Sequence, residues 1–202
     1  MTKQTILNIS LLLGFVAALF LSMSGFSNSC DEMYDNIIRI RVIATSDSEE
    51  DQALKLKVRD IVLEKSNMLF DHGCSYDEAL YIMDKNINLL VSSVASELSS
   101  LNIKDSIEAE IRDEYFETRV YDDFTLPAGK YKTLVFTIGE GAGNNWWCVV
   151  FPQVCLGSCS GQLTDTISDE SASYAYNADK YVLRFKTVEI FEKIKKYLEN
   201  RK

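Results

Sequence analysis

Three sets of residues carry groups that could do chemistry. Cys148 is a thiol, and the single histidine, His72, stands beside Cys74. A thiol nucleophile needs a base to generate thiolate, and no second histidine or catalytic signature accompanies this pair. Asp47 and Asp51 are close enough in sequence to act as paired carboxylates or calcium ligands. Helix capping accounts for them instead, because no further oxygen ligands follow at loop spacing. Five cysteines, Cys30, Cys74, Cys148, Cys155 and Cys159, lack the Cys-x-x-Cys or His-pair spacing of a zinc site. The pairing favoured by spacing is a disulfide between Cys148 and Cys155, with Pro152 turning the chain between them; Cys155–Cys159 is its rival, and the odd count leaves a thiol over. No metal or other cofactor is expected, and the reading is a binding protein and not an enzyme.

Binding chemistry is concentrated in residues 139–155, where Gly139, Gly141 and Gly143 alternate ahead of Asn144, Asn145 and both tryptophans of the chain, Trp146 and Trp147. Adjacent side chains on an extended segment face opposite ways. One tryptophan can therefore anchor a core while the other meets a partner, unless both are buried between layers. Aromatic anchors dominate interface energetics, so Asn144, Asn145, Trp146, Trp147, Phe151 and Pro152 are candidate partner-binding residues. Arg39, Arg41 and Asp47 join them as a polar docking face, the alternative being a charge network that ties a strand to the following helix.

These residues need a scaffold. Residues 37–44 alternate and are rich in β-branched types, with Ile38, Ile40 and Val42 on one face and Arg39 and Arg41 on the other with Ile37 and Ile43, which predicts a strand. Ser48 with Asp51 three residues on predicts a helix start, and Gly73 a helix end after Asp71 and His72. Ser75 and Glu78 form a capping box for a second helix, which the stripe Leu80, Met83, Ile87, Leu90, Val91, Val94 and Leu98 carries to Ser100. Strands are predicted over 107–120 and 131–138, with a shorter one at 149–151 and a loop at 122–129. Residues 158–179 read as a mobile linker rich in Ser, Asp and Glu. Residues 181–186 alternate as a strand. Thr187 is read as the cap of a last helix, with Val188, Phe191, Ile194 and Leu198 on one side and Lys193, Lys195, Lys196 and Arg201 on the other, packed back on the domain in preference to lying on a membrane. The order of elements predicts an α+β fold: a mostly antiparallel sheet with two helices packed on one face, plus a C-terminal amphipathic helix.

The 202 residues, 47% hydrophobic and 25% charged, suit one globular domain with accessory ends. A net charge of −9 and a pI near 4.7 argue against nucleic acid as a partner, since phosphate binding needs a basic surface, and disfavour direct binding of the main body to anionic lipid headgroups. At the N-terminus Lys3 precedes an apolar run over 6–21, interrupted by Asn8, Ser10 and Gly14, and small residues cluster from Ser22 to Ser29. This is the layout of a signal peptide, or of a retained membrane anchor whose contact with the bilayer would run through residues 6–26. The organisation expected is 1–30 for export or anchoring, 31–157 for the α+β domain, 158–179 for the linker and 180–202 for the terminal strand and helix.

Gly-Glu-Gly-Ala-Gly-Asn-Asn-Trp-Trp-Cys-Val-Val-Phe-Pro (139–152) resembles the signature of the stage II sporulation protein R family. Ile-Arg-Ile-Arg-Val-Ile-Ala-Thr-Ser-Asp-Ser (38–48), Asp-Gln-Ala-Leu-Lys (51–55) and Val-Arg-Asp (58–60) resemble its amino-terminal block, and Pro-Ala-Gly-Lys-Tyr (127–131) its Pro-Ala-Gly-x-Tyr loop. The chain departs at Thr45, where Asn is expected, at Leu126, where Tyr often precedes the Pro, and at Gln153, where a second Pro would stand. The resemblance implies a signal made in the forespore of an endospore-forming bacterium and secreted across the forespore membrane into the intermembrane space, or anchored there. It implies as partner a membrane-embedded aspartic protease of the mother cell, which then removes the pro-sequence of a sigma factor. The other classes compatible with the residues are an exported thiol hydrolase and a cell-wall-binding module in which the tryptophans stack on sugars.

Overall fold

The structure is a computed structural model that describes residues 2–70, 74–154 and 163–199. In chain order it contains α1 (Lys3–Asn36), β1 (Ile38–Ile43), α2 (Glu49–Asn67), α3 (Tyr76–Ser100), β2 (Ile107–Phe116), β3 (Arg119–Val120), β4 (Thr125–Leu126), β5 (Gly129–Ile138), β6 (Asn145–Phe151), α4 (Asp169–Tyr176) and α5 (Val182–Glu199). The class is α+β. The chain divides into two compact units, one of Met1–Met33, Glu117–Gly129 and Ser168–Lys202, and one of Tyr34–Phe116 and Lys130–Ile167.

The second, here called the sheet unit, is built on a four-stranded sheet of order β2-β5-β1-β6. The sheet is mixed: β1 runs antiparallel to β6 but parallel to β5, with Ile40 opposite both Leu134 and Cys148. Parallel neighbours need a long crossover, and α2, α3 and β2 all lie between β1 and β5 in the chain. Ile38, Ile40 and Val42 share one face with Leu134, Phe136, Cys148 and Phe151, and all of these are buried. That face receives α2 and α3, which contribute Leu54, Val58, Ile61, Val62, Met83, Leu90, Val94 and Leu98, all buried.

Both predicted helix starts are present. The Asp51 amide donates to Ser48 Oγ at 3.1 Å, and Ser75 and Glu78 form a reciprocal capping box. Helix α2 ends at Asn67, with the Met68 amide donating to the Lys65 carbonyl; the predicted stop at Asp71, His72 and Gly73 lies outside the described residues. The strand predicted over 107–120 breaks after Phe116. Arg119 and Val120 instead pair with Leu126 and Thr125 in a separate hairpin, closed where the Tyr121 amide donates to the Phe124 carbonyl and the two rings stack at 4.6 Å. The last strand begins at Asn145, four residues earlier than predicted, because β1 supplies an edge along its whole length.

The other unit is mostly helical and includes the β3–β4 hairpin. Phe26 of α1 is fully buried, its ring edge-on to Tyr174 of α4 and Phe185 of α5 with centroids 5.0 and 5.1 Å away. Three expectations are corrected here. Of the supposed linker, residues 158–162 lie outside the described residues, but 163–179 are ordered by helix: Ser168 caps α4, and Ser171, Ala172 and Ala175 are buried. Residues 181–186 are not a strand, since α5 already starts at Val182 and Thr187 lies inside it, its hydroxyl donating to the Leu183 carbonyl at 2.8 Å. Phe185, Val188 and Glu192 recur at helical spacing and are buried, and this pattern overrides the short alternation. The C-terminal stripe is corrected too: Val188 packs inward, but Phe191, Ile194 and Leu198 are exposed. Among the described residues no helix is long and apolar enough to cross a membrane.

Candidate functional site

The glycine-rich segment and the loop after β1 are one structure. Gly139 and Gly141 turn the chain out of β5 at φ of 55° and 63°, values that favour glycine. The turn then closes on the loop after β1: the Ala142 and Gly143 amides donate to the carbonyls of Thr45 and Ala44 at 3.2 and 2.8 Å. A Cβ on Gly143 would overlap the Ser46 carbonyl, so the approach requires glycine. Side chains complete the tie. The Asn144 amide donates to Asp47 Oδ1 at 2.6 Å, and Lys55 Nζ donates to the Asn144 carbonyl at 3.1 Å. Gln52 Nε2 donates to the Ser46 carbonyl at 2.8 Å and its carbonyl oxygen accepts from Lys55, while Ser46 Oγ donates to Asp51. Thr45, the departure from Asn, places its hydroxyl on the Ile138 carbonyl at 3.1 Å and near Asp105. Burial pushes the Lys55 ammonium below its ordinary value, and the Asp47 charge partly restores it.

Asp47 and Asp51 are thus structural acceptors, and the fold brings Asp47 and Asn144 together. Both remain exposed. The tryptophans leave this turn on opposite faces of β6. Trp146, opposite Val42, lies on the helix-covered face, with the Arg59 guanidinium 5.4 Å from its ring centroid. Trp147, opposite Arg41, lies on the other face. Both are half-buried, as is Asn145.

The two arginines of β1 differ. Arg39 is fully buried, its guanidinium 3.8 Å from the Phe116 ring centroid and 5.1 Å from that of Tyr131. It is a core cation held by aromatic faces and is withdrawn from any docking surface. Arg41 is partly exposed and reaches across β5 to Glu114 Oε1 at 2.9 Å. Arg112 also binds Glu114, at 2.6 Å, and pairs with Glu110. Those contacts raise the Arg112 pKa, the hydrogen bond to Glu114 foremost. Trp147, Arg41 and Glu114 therefore form one row across the sheet, which Arg112 and Glu110 continue along β2. Sequence reasoning missed its acidic half, although the alternation of Glu108, Glu110, Arg112 and Glu114 marks one polar strand face.

Two further candidates are withdrawn. Phe151 is buried with its ring edge-on to Phe70 at 5.6 Å, and Pro152 is buried beside it. Cys148 is buried on the helix-covered face; its expected partner Cys155, the rival Cys159 and the possible base His72 all lie outside the described residues. Cys30 and Cys74 are thiols. Among the described residues no three His, Cys, Asp or Glu side chains are grouped as metal ligands.

The interlocked loops use the same stretches that carry the sequence motifs, and a family model matches them. Residues 34–160 match the model described as Stage II sporulation protein R (spore_II_R). The chain belongs to the stage II sporulation protein R family. A curated relative, Stage II sporulation protein R of Bacillus subtilis (strain 168), is 31% identical over 140 residues, which cover 69% of this chain and 62% of that protein. The chain thus spans less than two thirds of the length of that relative. No solved structure matches the chain. Family membership makes this a sporulation protein, and the matched region begins at residue 34, where the sheet unit begins.

Proposed function

We propose that the chain is an exported intercompartmental signal of sporulation that works by touch. Secreted across the forespore membrane into the intermembrane space, or anchored there, it activates a membrane-embedded aspartic protease of the mother cell that processes a pro-sigma factor. The observation that carries this reading is the cluster Trp147–Arg41–Glu114–Arg112, partly exposed and held next to an interlocked turn. An aromatic anchor beside a partly desolvated charge network is the composition of an interface centre. Preorganisation by the turn lowers the ordering cost of binding. The protein supplies recognition on this reading, and the hydrolytic chemistry belongs to its receptor.

The test is reconstitution. Vesicles bearing the protease and its pro-protein substrate are mixed with purified chain, and cleavage is followed on gels. Cleavage should require the chain, should fall at least tenfold with Trp147→Ala or Arg41→Glu, and should persist with Cys148→Ser wherever circular dichroism shows the variant folded. Cleavage by the chain without the protease, abolished by Cys148→Ser, would establish the thiol-hydrolase class instead. Full activation by folded Trp147→Ala and Arg41→Glu variants would remove this face from the interface.

A further inference from the structure

Helix α5 has two apolar faces, and only one is covered. Successive residues turn by about 100°. Phe185, Val188 and Glu192 fall in one sector and are buried. The opposite sector carries Leu183, Ile190, Phe191, Ile194, Tyr197 and Leu198, each more than half exposed. A surface helix of a globular domain normally shows one apolar stripe. This second stripe is bordered by Lys186 and Lys193 along one edge and by Arg184 and Lys195 along the other, read from the same helical angles. The cations are oriented but not submerged: Lys186 and Lys193 pair with Glu189 at 2.9 and 2.8 Å, Lys195 lies 3.7 Å from Glu192, and all three lysine side chains are at least half exposed. Arg184 donates to the Tyr174 hydroxyl at 3.2 Å.

We infer that α5 is a docking helix for the surface of a bilayer containing anionic phospholipid, lying in the interface plane with this stripe inserted and the flanking cations among the headgroups. Charge decides between occupants. A second copy of the stripe laid against the first would bring rows of like cations together, whereas anionic headgroups complement both edges at once. Long cationic side chains at the rim of an apolar face suit this position, since their stems extend along apolar surface while their heads stay wet. The same unit carries a second exposed apolar surface, Ile6 to Phe15 on α1. The net charge of −9 makes the clustered cations of α5 a local feature of an acidic protein.

The test uses the full chain and vesicles of phosphatidylcholine with one quarter phosphatidylglycerol, with no protease present, so it stands apart from the function proposed above. Ile190→Asp combined with Ile194→Asp alters exposed positions only and should weaken co-sedimentation with vesicles at least tenfold. Lys186→Gln with Lys193→Gln should weaken binding to these vesicles and leave the weaker binding to pure phosphatidylcholine unchanged. A local reporter reads α5 separately from α1: Phe191→Trp should show quenching by brominated lipid beyond that of Trp146 and Trp147 in the parent. Failure of the parent to bind, equal binding of parent and Asp variant, or absence of extra quenching at position 191 would each overturn the inference. So would lipid-free sedimentation equilibrium showing a dimer that the Asp variant dissociates, which would assign the stripe to a second copy.

Discussion

In the sheet unit, backbone carbonyls and amides from distant parts of the chain meet one another. Gly143 bonds to Ala44, Asn144 to Asp47, and buried Lys55 bridges the same loops. In the helical unit, α1 meets α4 and α5 through side chains: Phe26 lies between Tyr174 and Phe185, and Glu32 on the serines that open α4. The sheet unit covers one apolar face of its sheet with α2 and α3, while the helical unit leaves much of α5 and the start of α1 exposed. The family model begins where the sheet unit begins. A polar interlock fixes the position of a surface to fractions of an ångström, which recognition of a protein partner requires. An apolar helix face asks only for apolar surroundings and suits a less specific surface.

The comparison can be tested by damaging each unit in turn and reading amide hydrogen exchange in both. Phe26→Ala removes a fully buried ring and should cost about 3–5 kcal/mol, with exchange accelerating first in α4 and α5. Gly143→Ala drives a methyl into the Ser46 carbonyl and should cost about 2–3 kcal/mol; protection should fall first in β1, β6 and the start of α2. If Gly143→Ala leaves those amides unchanged, the turn is not what ties the two loops.

Smaller effects sharpen the contrast through pH. Burial alone would raise the Glu32 pKa, but hydrogen bonds from the Ser171 and Ser168 hydroxyls and the Ser168 amide bring it below its ordinary value. The folded pKa is depressed, so the stability it contributes is present above the ordinary carboxylate value and is lost as pH falls through the folded one. Glu32→Gln should cost about 1–2 kcal/mol at neutral pH and flatten the acid limb of α4 protection. In the sheet unit, burial first, and then the charges of Asp35, Asp113 and Asp77, push the Tyr76 hydroxyl from 10.0 up to about 12. The unfolded chain therefore ionises first, and stability should fall as pH rises from about 10 to about 12. Tyr76→Phe should remove that decline, as read from urea midpoints across the range.

What the sequence disclosed follows the range of the forces involved. The caps at Ser48 and Ser75 act over three residues and are visible as local spacing, as are the strands at 38–43 and 131–138. The parallel pairing of β1 with β5 is non-local and left no mark in either strand. Arg39 and Arg41 look alike in the alternation, and only the distant rings of Phe116 and Tyr131 make one a core residue. The Ser- and Asp-rich composition around α4 suggests a linker, yet Ser168 followed by Asp169 and Glu170 is a helix opening. Of the site, the glycine turn and the tryptophan pair were legible, whereas the row reaching to Glu110 needed the strand order.

Helix α1 runs without a break from Lys3 to Asn36, through the cluster of small residues where an export enzyme would be expected to cut. Peptidases act on extended, accessible chain, and here Phe26, Ser29 and Cys30 are helical and enclosed. A cut between positions 26 and 30 would carry off the ring that Tyr174 and Phe185 surround. Maturation at that point and the helical unit in this form are mutually exclusive: a severed chain would have to rebuild the contacts of α4 and α5 around a different centre.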